Sequence, residues 1–168
     1  MAIAPELLDA APEIGIRPMT EADVAEVFAV ERASYLFPWS EGIFRDCLRV
    51  GYVCRVLTAG SRIIGYGVMS IGAGEAHVLN LCVDCDHRCR GLGRRMLGYL
   101  LERGTAAGMN EAFLEVRPSN TAAIRLYQAV GFEQVGMRRG YYQAVGGRED
   151  AAVLRLTLRG RRPPRNTP

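Results

Sequence analysis

Hydrophobic and polar positions along this chain follow two different periods. Short runs that are apolar or alternate with polar residues predict strands at 14–19, 52–57, 63–71, 76–83 and 111–116. Apolar residues three or four apart predict helices that begin near 20, 40, 92 and 119. Two closing strands are predicted at 132–137 and 151–158, with a long polar and aromatic loop over 138–148. This order predicts an α+β fold in one domain, a mixed sheet of about seven strands flanked by about four helices.

Several residues mark where the predicted helices begin and end. Ser40 follows the helix-breaking segment Phe37-Pro38-Trp39 and is expected to cap the second helix. Ser119 or Asn120 is expected to cap the fourth helix, and Gly131 to end it. The caps therefore predict element boundaries independently of the apolar pattern.

The composition is that of an ordinary globular protein. The chain has 168 residues, 49% of them hydrophobic and 23% charged, which suits one domain with its own core. We expect a flexible leader at 1–13, the folded domain at 14–158, and a disordered tail rich in arginine and proline at 159–168. An RNA-binding role for this tail is a minor alternative, because the tract is short.

Charge and hydropathy exclude several classes of function. All basic residues are arginine, and the net charge of +3 is too small to indicate nucleic-acid binding. No apolar run approaches the roughly 20 residues that a membrane helix needs, so no membrane partner is expected. The first residues carry no basic segment typical of a signal peptide, and we expect a cytoplasmic protein with reduced thiols.

Three of the five cysteines lie close together in the sequence. Cys82, Cys85 and Cys89, with His87 among them, raise the question of a metal site. A structural zinc site usually has two ligand pairs separated by a longer loop, whereas these four ligands fall within eight residues. We therefore expect no metal, and interpret the cysteines as one buried strand residue and two loop residues.

A basic loop with two glycines joins a strand to a helix. Arg88-Cys89-Arg90-Gly91-Leu92-Gly93 follows the predicted strand 76–83 and opens the third helix. Free backbone N–H groups and the helix dipole favour an anion there, and glycine lets the main chain approach it. A diphosphate is the expected ligand. A dinucleotide site is disfavoured, since the preceding strand does not begin a repeating βαβ series.

Five separated segments carry a family resemblance. They are Asn80-Leu81-Cys82-Val83, Arg88-x-x-Gly91-x-Gly93, Leu114-Glu115-Val116-Arg117, Asn120-x-x-Ala123-x-x-Leu126-Tyr127 and Gly131-Phe132. In this order they resemble the GNAT acetyltransferase superfamily over nearly all of 14–158. Further segments are similar to one branch, the RimI-type N-terminal alanine acetyltransferases that modify a ribosomal protein. These are Phe37-Pro38-Trp39-Ser40, Leu114-Glu115-Val116-Arg117 again, Arg138-Arg139-Gly140-Tyr141-Tyr142 and Gly147-Arg148-Glu149-Asp150-Ala151.

The resemblance implies acetyl-CoA as co-substrate and assigns residues to it. The diphosphate would lie on the amides at the helix start, with the pantetheine arm along the preceding strand as an added strand. Asn120 would hydrogen-bond the arm, cap its own helix, or do both. For single arginines, a solvated surface role is an equal alternative. The implied residues are Leu81, Cys82, Val83, Arg88, Cys89, Arg90, Gly91, Leu92, Gly93, Arg94 and Asn120.

Two residues stand out as candidates for proton transfer. Glu115 is a carboxylate in an otherwise apolar strand, where it needs partners or a function. Tyr127 lies seven residues after Asn120 and hence on the same helix face, where a core aromatic is the alternative. The resemblance implies that Glu115 is the general base toward the attacking amine. It implies that Tyr127 is the general acid toward the departing thiolate.

The acceptor is expected to be the α-amine of a protein N-terminus. Its reference pKa is about 8, against about 10.4 for lysine, so deprotonating lysine costs about 3 kcal/mol more. Aromatic side chains that would line a peptide groove are Tyr35, Phe37, Trp39, Tyr141 and Tyr142, although scattered loop aromatics are an equal interpretation. The resemblance implies transfer to the N-terminal alanine of a small-subunit ribosomal protein in a ternary complex. Alternatives are a lysine or small-amine acetyltransferase, and a catalytically silent CoA-binding module.

Overall fold

The structure is a computed structural model that describes residues 11–160. Within them, strands and helices alternate in the predicted order. Their bounds are β1 Ile14–Pro18, α1 Val24–Ser34, α2 Glu41–Arg49, β2 Val53–Ala59, β3 Arg62–Gly72, β4 Glu75–Val83, α3 Leu92–Ala106, β5 Glu111–Val116, α4 Thr121–Val130, β6 Glu133–Ala144 and β7 Gly147–Thr157. Single 3₁₀ turns precede α1 at Glu21–Asp23 and follow β4 at Cys85–His87.

The helix boundaries follow from local capping. Ser40 Oγ accepts a hydrogen bond from the amide of Ile43 at the start of α2. Asn120 Oδ1 accepts one from the amide of Ala123 at the start of α4, and Gly131 ends that helix with φ of 109°. Both predicted caps therefore occur, each satisfying an amide that the helix leaves free.

One seven-stranded sheet runs through the domain in the order β1-β2-β3-β4-β5-β7-β6. Among the described strands, only β4 and β5 pair in parallel, and every other neighbouring pair is antiparallel. The mixed sheet of seven strands with four α-helices confirms the predicted fold class.

The sheet separates two apolar cores. On one face, α3 and α4 bury residues such as Leu97, Leu100 and Tyr127 against the central and C-terminal strands. On the other face, α1 and α2 bury residues such as Val27 and Phe44 against β2, β3 and β4. The helices on both faces thus fix the position of β4, the strand that carries the predicted acetyl-CoA residues.

Pairing between β4 and β5 is short. It extends from Glu75 and Glu111 to Val78 and Leu114, and it stops there although both strands continue. The C-terminal part of β4, including Leu81, therefore lacks a neighbouring strand on that side within the described residues. Unpaired strand edges are where an extended ligand adds as a further strand.

The predicted loop 138–148 is wrong, because most of it is strand. β6 and β7 form a long hairpin with a turn at Val145 and Gly146. The register shifts between Arg138 and Tyr142, and side chains bridge this irregularity. Asp150 Oδ1 accepts the amide of Gly140 at 2.8 Å, and Arg148 donates to the carbonyl of Tyr141 at 3.0 Å. Polar residues that indicated a loop, such as Arg148, thus form hydrogen bonds between the two strands.

The predicted leader and tail lie outside the described residues, except for 11–13 and 159–160. Their disorder therefore stays a prediction. None of the described helices is long and apolar enough to cross a membrane.

Candidate active site

A cavity of about 460 Å³ opens where β4 and β5 stop pairing. The diverging strands form its floor, with residues 78–81 on one side and 114–117 on the other. The segment between α1 and α2 forms one wall, and the tip of the β6–β7 hairpin forms another. The cavity therefore joins segments that are far apart in sequence.

Glu115 of β5 lies in this cavity. Its Oε1 pairs with Nη1 of Arg138 at 3.0 Å, and the two side chains are 21% and 55% exposed. An ion pair that is this open to solvent contributes at most about 1 kcal/mol. Arg138 can therefore leave at little cost, which would free the carboxylate for a substrate amine.

Tyr127 of α4 faces the same cavity. The residue is 8% exposed, and its ring packs edge-on against Phe132 with centroids 5.9 Å apart. Burial raises the pKa of Tyr127 to about 12, because the buried site disfavours the phenolate. The hydroxyl is therefore protonated at neutral pH. The structure brings the predicted base and acid to one space.

Two predicted acetyl-CoA residues also line the cavity, Leu81 and Asn120. Asn120 caps α4 and faces the cavity at once, so the two interpretations from sequence are compatible. The carbonyl of Leu81 accepts a hydrogen bond from the hydroxyl of Tyr35 at 3.1 Å. This contact marks the unpaired edge of β4 as accessible to a donor.

The backbone of β4 shows which groups face the gap. The amide of Asp84 donates to the carbonyl of Ile64 in β3 at 2.8 Å. Since successive residues of a strand address opposite neighbours, the amide of Cys82 also faces β3. The amides of Leu81 and Val83 therefore face the open side, where a ligand strand would bind.

The basic loop lies at the end of β4, outside the lining of the cavity. Cys89 and Gly91 have positive φ values of 59° and 74°, and α3 starts immediately afterwards. Left-handed residues before a helix turn successive amides toward one point, which suits a phosphate. Arg88, Arg90 and Arg94 are exposed there, and Nε of Arg88 donates to the carbonyl of Val83 at 2.9 Å. Arg88 therefore also ties the loop to the strand.

The remaining loop residues show how the helix begins close to the sheet. Leu92 is half-buried against the core on the α3 side. A Cβ added at Gly93 would lie 3.4 Å from Leu126 Cδ2. The amides of the first helical turn lack partners within the helix, so they are available to a ligand. These features fit a diphosphate.

Four of the five predicted groove aromatics line the cavity, namely Tyr35, Phe37, Trp39 and Tyr142. Tyr141 does not; it is 41% exposed and stacks edge-on against Tyr142 with centroids 4.8 Å apart. The guanidinium of Arg138 lies 4.5 Å from its ring centroid. Tyr141 thus supports the side chains around Glu115 from outside the cavity.

The sequence interpretation missed Arg117 and Glu149, which build the hairpin side of the cavity. Arg117 lies over the ring of Tyr142 at 4.4 Å and pairs with Glu149 at 3.1 Å. Glu149 also accepts the amide of Ser119 at 3.0 Å, and these bonds lower the pKa of its carboxyl. Glu149 lies in the motif 147–151, just after the predicted loop 138–148, and no local signal in the sequence indicates this contact.

A third missed residue is Glu31 of α1, which lines the cavity and is 2% exposed. The sequence contained a signal for it, since Glu31 falls at the spacing of the apolar positions Val24 and Val27. A carboxylate on an apolar helix face requires buried partners.

The cysteines do not assemble into one site. Cys82 is buried, and burial raises the pKa of its thiol, whereas Cys85 and Cys89 are exposed. Among the described residues, the one group close enough to share an ion is Asp84, Cys85 and Asp86, which is partly exposed. A protonated, buried thiol at Cys82 is a poor nucleophile, which disfavours an acylated cysteine.

Comparison with known proteins agrees with this geometry. The sequence pattern of the acetyltransferase (GNAT) family matches residues 14–132. The ribosomal protein bS18-alanine N-acetyltransferase of Escherichia coli (strain K12) is 34% identical over 143 residues, 85% of this chain and 97% of that protein. The crystal structure of the ribosomal-protein-S18-alanine N-acetyltransferase from Escherichia coli superposes with a TM-score of 0.82 at 33% identity. It covers 87% of this chain and 94% of that one.

Ard1 from Thermoplasma volcanium superposes with a TM-score of 0.79 at 25% identity, over 86% of this chain and 97% of that one. The family match over residues 14–132 and the 34% identical relative define an acetyltransferase. The chain belongs to the GNAT family.

Proposed function

We propose that this enzyme transfers the acetyl group of acetyl-CoA to the α-amine of a protein N-terminus, the N-terminal alanine of a small-subunit ribosomal protein. The observation that carries the proposal is the meeting of Glu115 and Tyr127 in the cavity where β4 and β5 separate. The name and the extent of the Escherichia coli relative support the choice of substrate.

The co-substrate would lie along β4 and end at the basic loop. The amides of residues 89–94 would hold the diphosphate, with added charge from Arg88, Arg90 and Arg94. The amides of Leu81 and Val83 face the gap and would bind the pantetheine arm and the thioester oxygen. An N–H at the thioester oxygen stabilises the negative charge that develops during attack.

Direct transfer needs two proton movements. Glu115 would take a proton from the attacking nitrogen, directly or through a water molecule, as the N–C bond forms. Tyr127 would donate its phenolic proton to sulfur as the C–S bond breaks. A pKa of about 12 keeps Tyr127 protonated before the reaction, so the donor is present at neutral pH.

The test is an acetylation assay with matched peptides. One peptide begins with alanine and lacks lysine, a second is the same sequence with an acetylated N-terminus and one lysine, and a third begins with a different residue. Free thiol is followed during incubation with acetyl-CoA. The chain itself contains no lysine, so its side chains add no competing amine.

The alanine peptide is expected to react fastest. Preferential reaction of the lysine peptide would contradict the proposal and favour a lysine acetyltransferase. Absence of turnover with every amine, together with tight binding of acetyl-CoA, would indicate a silent binding module.

A further inference from the structure

Glu31 is a buried carboxylate that the proton transfers above do not use. It lies in the last turn of α1, is 2% exposed and lines the cavity. No arginine or histidine pairs with it among the described residues. Its negative charge also lies at the negative end of the helix dipole, which disfavours it. Such a placement is costly unless hydrogen bonds compensate for it.

Three donors from three separate elements meet the carboxylate. Oε1 accepts the backbone amide of Trp39 at 2.7 Å. Oε2 accepts a short hydrogen bond from the hydroxyl of Tyr66 in β3 and a longer one, 3.4 Å, from Nδ2 of Asn80 in β4. The side chain thus connects the α1–α2 segment to β3 and β4.

Glu31 holds both ends of the segment that forms one cavity wall. Its own carbonyl accepts the amide of Tyr35 at 3.0 Å, and its carboxylate accepts the amide of Trp39. The residues between these two bonds include Leu36 and Phe37, which line the cavity although they are 73% and 40% exposed. Exposed side chains gain little from packing, so Leu36 and Phe37 depend on anchors at the two ends of the segment. These are the two bonds to Glu31, the Tyr35 hydroxyl on the carbonyl of Leu81, and the Trp39 ring beside Phe44.

We propose that Glu31 is a positioning residue for the peptide-binding wall, the cavity-lining segment 35–39 between α1 and α2. By accepting the Trp39 amide, its carboxylate holds this segment in the conformation that binds the peptide. The carboxylate acts by its reach and its acceptor oxygen rather than by attracting the cationic amine of the substrate. This role deepens the proposed function. Of the two experiments below, only the kinetic one rests on the proposed function. Loss of the anchor would release the wall while leaving Glu115, Tyr127 and the acetyl-CoA loop in place.

Two conservative variants separate reach from charge. Glu31→Gln keeps the chain length and an acceptor oxygen for the Trp39 amide but removes the charge. Glu31→Asp keeps the charge but is one methylene shorter. Glu26→Gln is the matched control, because Glu26 on the same helix accepts the amide of Ile63 at 2.9 Å outside the cavity.

The kinetic arm measures KM for the alanine peptide and for acetyl-CoA. We expect Glu31→Asp to raise the peptide KM by about ten-fold or more, the effect of losing one hydrogen bond to a charged group. The acetyl-CoA KM and kcat at saturating peptide should stay near wild type. Glu31→Gln and Glu26→Gln should keep the wild-type peptide KM.

A second arm needs no activity, because Trp39 is the single tryptophan of the chain. Its ring lies 5.5 Å from that of Phe44. Glu31→Asp should increase quenching of its fluorescence by acrylamide and shift the emission to the red, and Glu31→Gln should not. This arm still decides the inference if the peptide substrate is wrong.

The inference would be overturned if Glu31→Gln were impaired in peptide KM and Trp39 fluorescence while Glu31→Asp behaved as wild type, because the charge of Glu31 would then matter. Equal loss in Glu26→Gln would also overturn it, by showing a general effect of destabilising α1. A fall in kcat at unchanged peptide KM would place Glu31 in the chemistry instead.

Discussion

Replacing Gly91 by alanine tests the basic loop more cleanly than any other change. Gly91 has φ of 74° and immediately precedes α3. A Cβ built there meets no atom within 4 Å. The substitution therefore adds no steric contact, and its whole cost is that of the left-handed backbone conformation.

The size of the effect follows from that conformation. A residue with a Cβ pays roughly 1–2 kcal/mol to be left-handed, so the loop of the variant relaxes when it is empty. Acetyl-CoA must restore the conformation when it binds, which lowers its affinity about 5- to 30-fold, at 1.4 kcal/mol for each factor of ten. Valine at the same position should weaken binding further, because β-branched residues avoid this region most. kcat at saturating acetyl-CoA should not change.

Titration calorimetry with acetyl-CoA measures this affinity, and two other glycines supply controls. Gly51, with φ of 81°, is equally open and lies after α2. Gly51→Ala should lower the stability of the fold by a similar amount, roughly 1–2 kcal/mol, without lowering the affinity for acetyl-CoA. Gly98, inside α3, has open space and no positive φ, so Gly98→Ala should stabilise the helix by about 1 kcal/mol.

Wild-type affinity in Gly91→Ala would refute the reasoning, since the loop could then not be holding the diphosphate in this conformation. Equal weakening by Gly51→Ala would refute it in a different way, because the loss would then reflect lower stability alone.

Three further predictions concern the two residues proposed to transfer protons. Glu115→Gln should lower kcat about 100- to 10,000-fold with unchanged acetyl-CoA affinity, and an unchanged kcat in the thiol assay would remove Glu115 as the base. Tyr127→Phe keeps the ring contact with Phe132 and should lower kcat by at least about 100-fold; wild-type turnover would make Tyr127 a core residue only. The pKa of Tyr127 is raised to about 12, so its stabilising contribution is complete below pH 10 and declines between pH 10 and 12. Tyr127 should contribute about 3 kcal/mol to the loss of stability measured by denaturant unfolding over this range. Tyr127→Phe should remove that contribution, and an identical pH profile for the variant would contradict the prediction.

Local rules explain why much of the fold could be predicted from sequence. Ser40, Asn120 and Gly131 act through bonds within a few residues, so their effects do not depend on the rest of the chain. The strand pattern was equally local, because alternation decides which side chains face a core. The assignment of Glu115 and Tyr127 to one site came from the family motifs and not from these local rules.

Long-range contacts account for what could not be predicted. The β6–β7 hairpin depends on bonds such as that between Gly140 and Asp150, ten residues apart. Glu31 meets Tyr66 and Asn80, which are 35 and 49 residues away. The residues next to Asp150 and Glu31 in the sequence do not identify these partners. The composition of 138–148, which contains Gly140, therefore predicts a loop, and Glu31 fits an ordinary position of the first predicted helix.

The two ends of the site carry opposite charge. Exposed arginines surround the loop at the end of β4, whereas the carboxylates of Glu115 and Glu149 line the cavity beside β5. An anionic diphosphate is favoured at the first end and a cationic amine at the second. The strand between them is unpaired where the thioester would lie. In the proposed function, two substrates of opposite charge would enter from opposite ends and meet along residues 79–83, where β4 has no β5 partner. Direct transfer without a covalent enzyme intermediate requires this geometry.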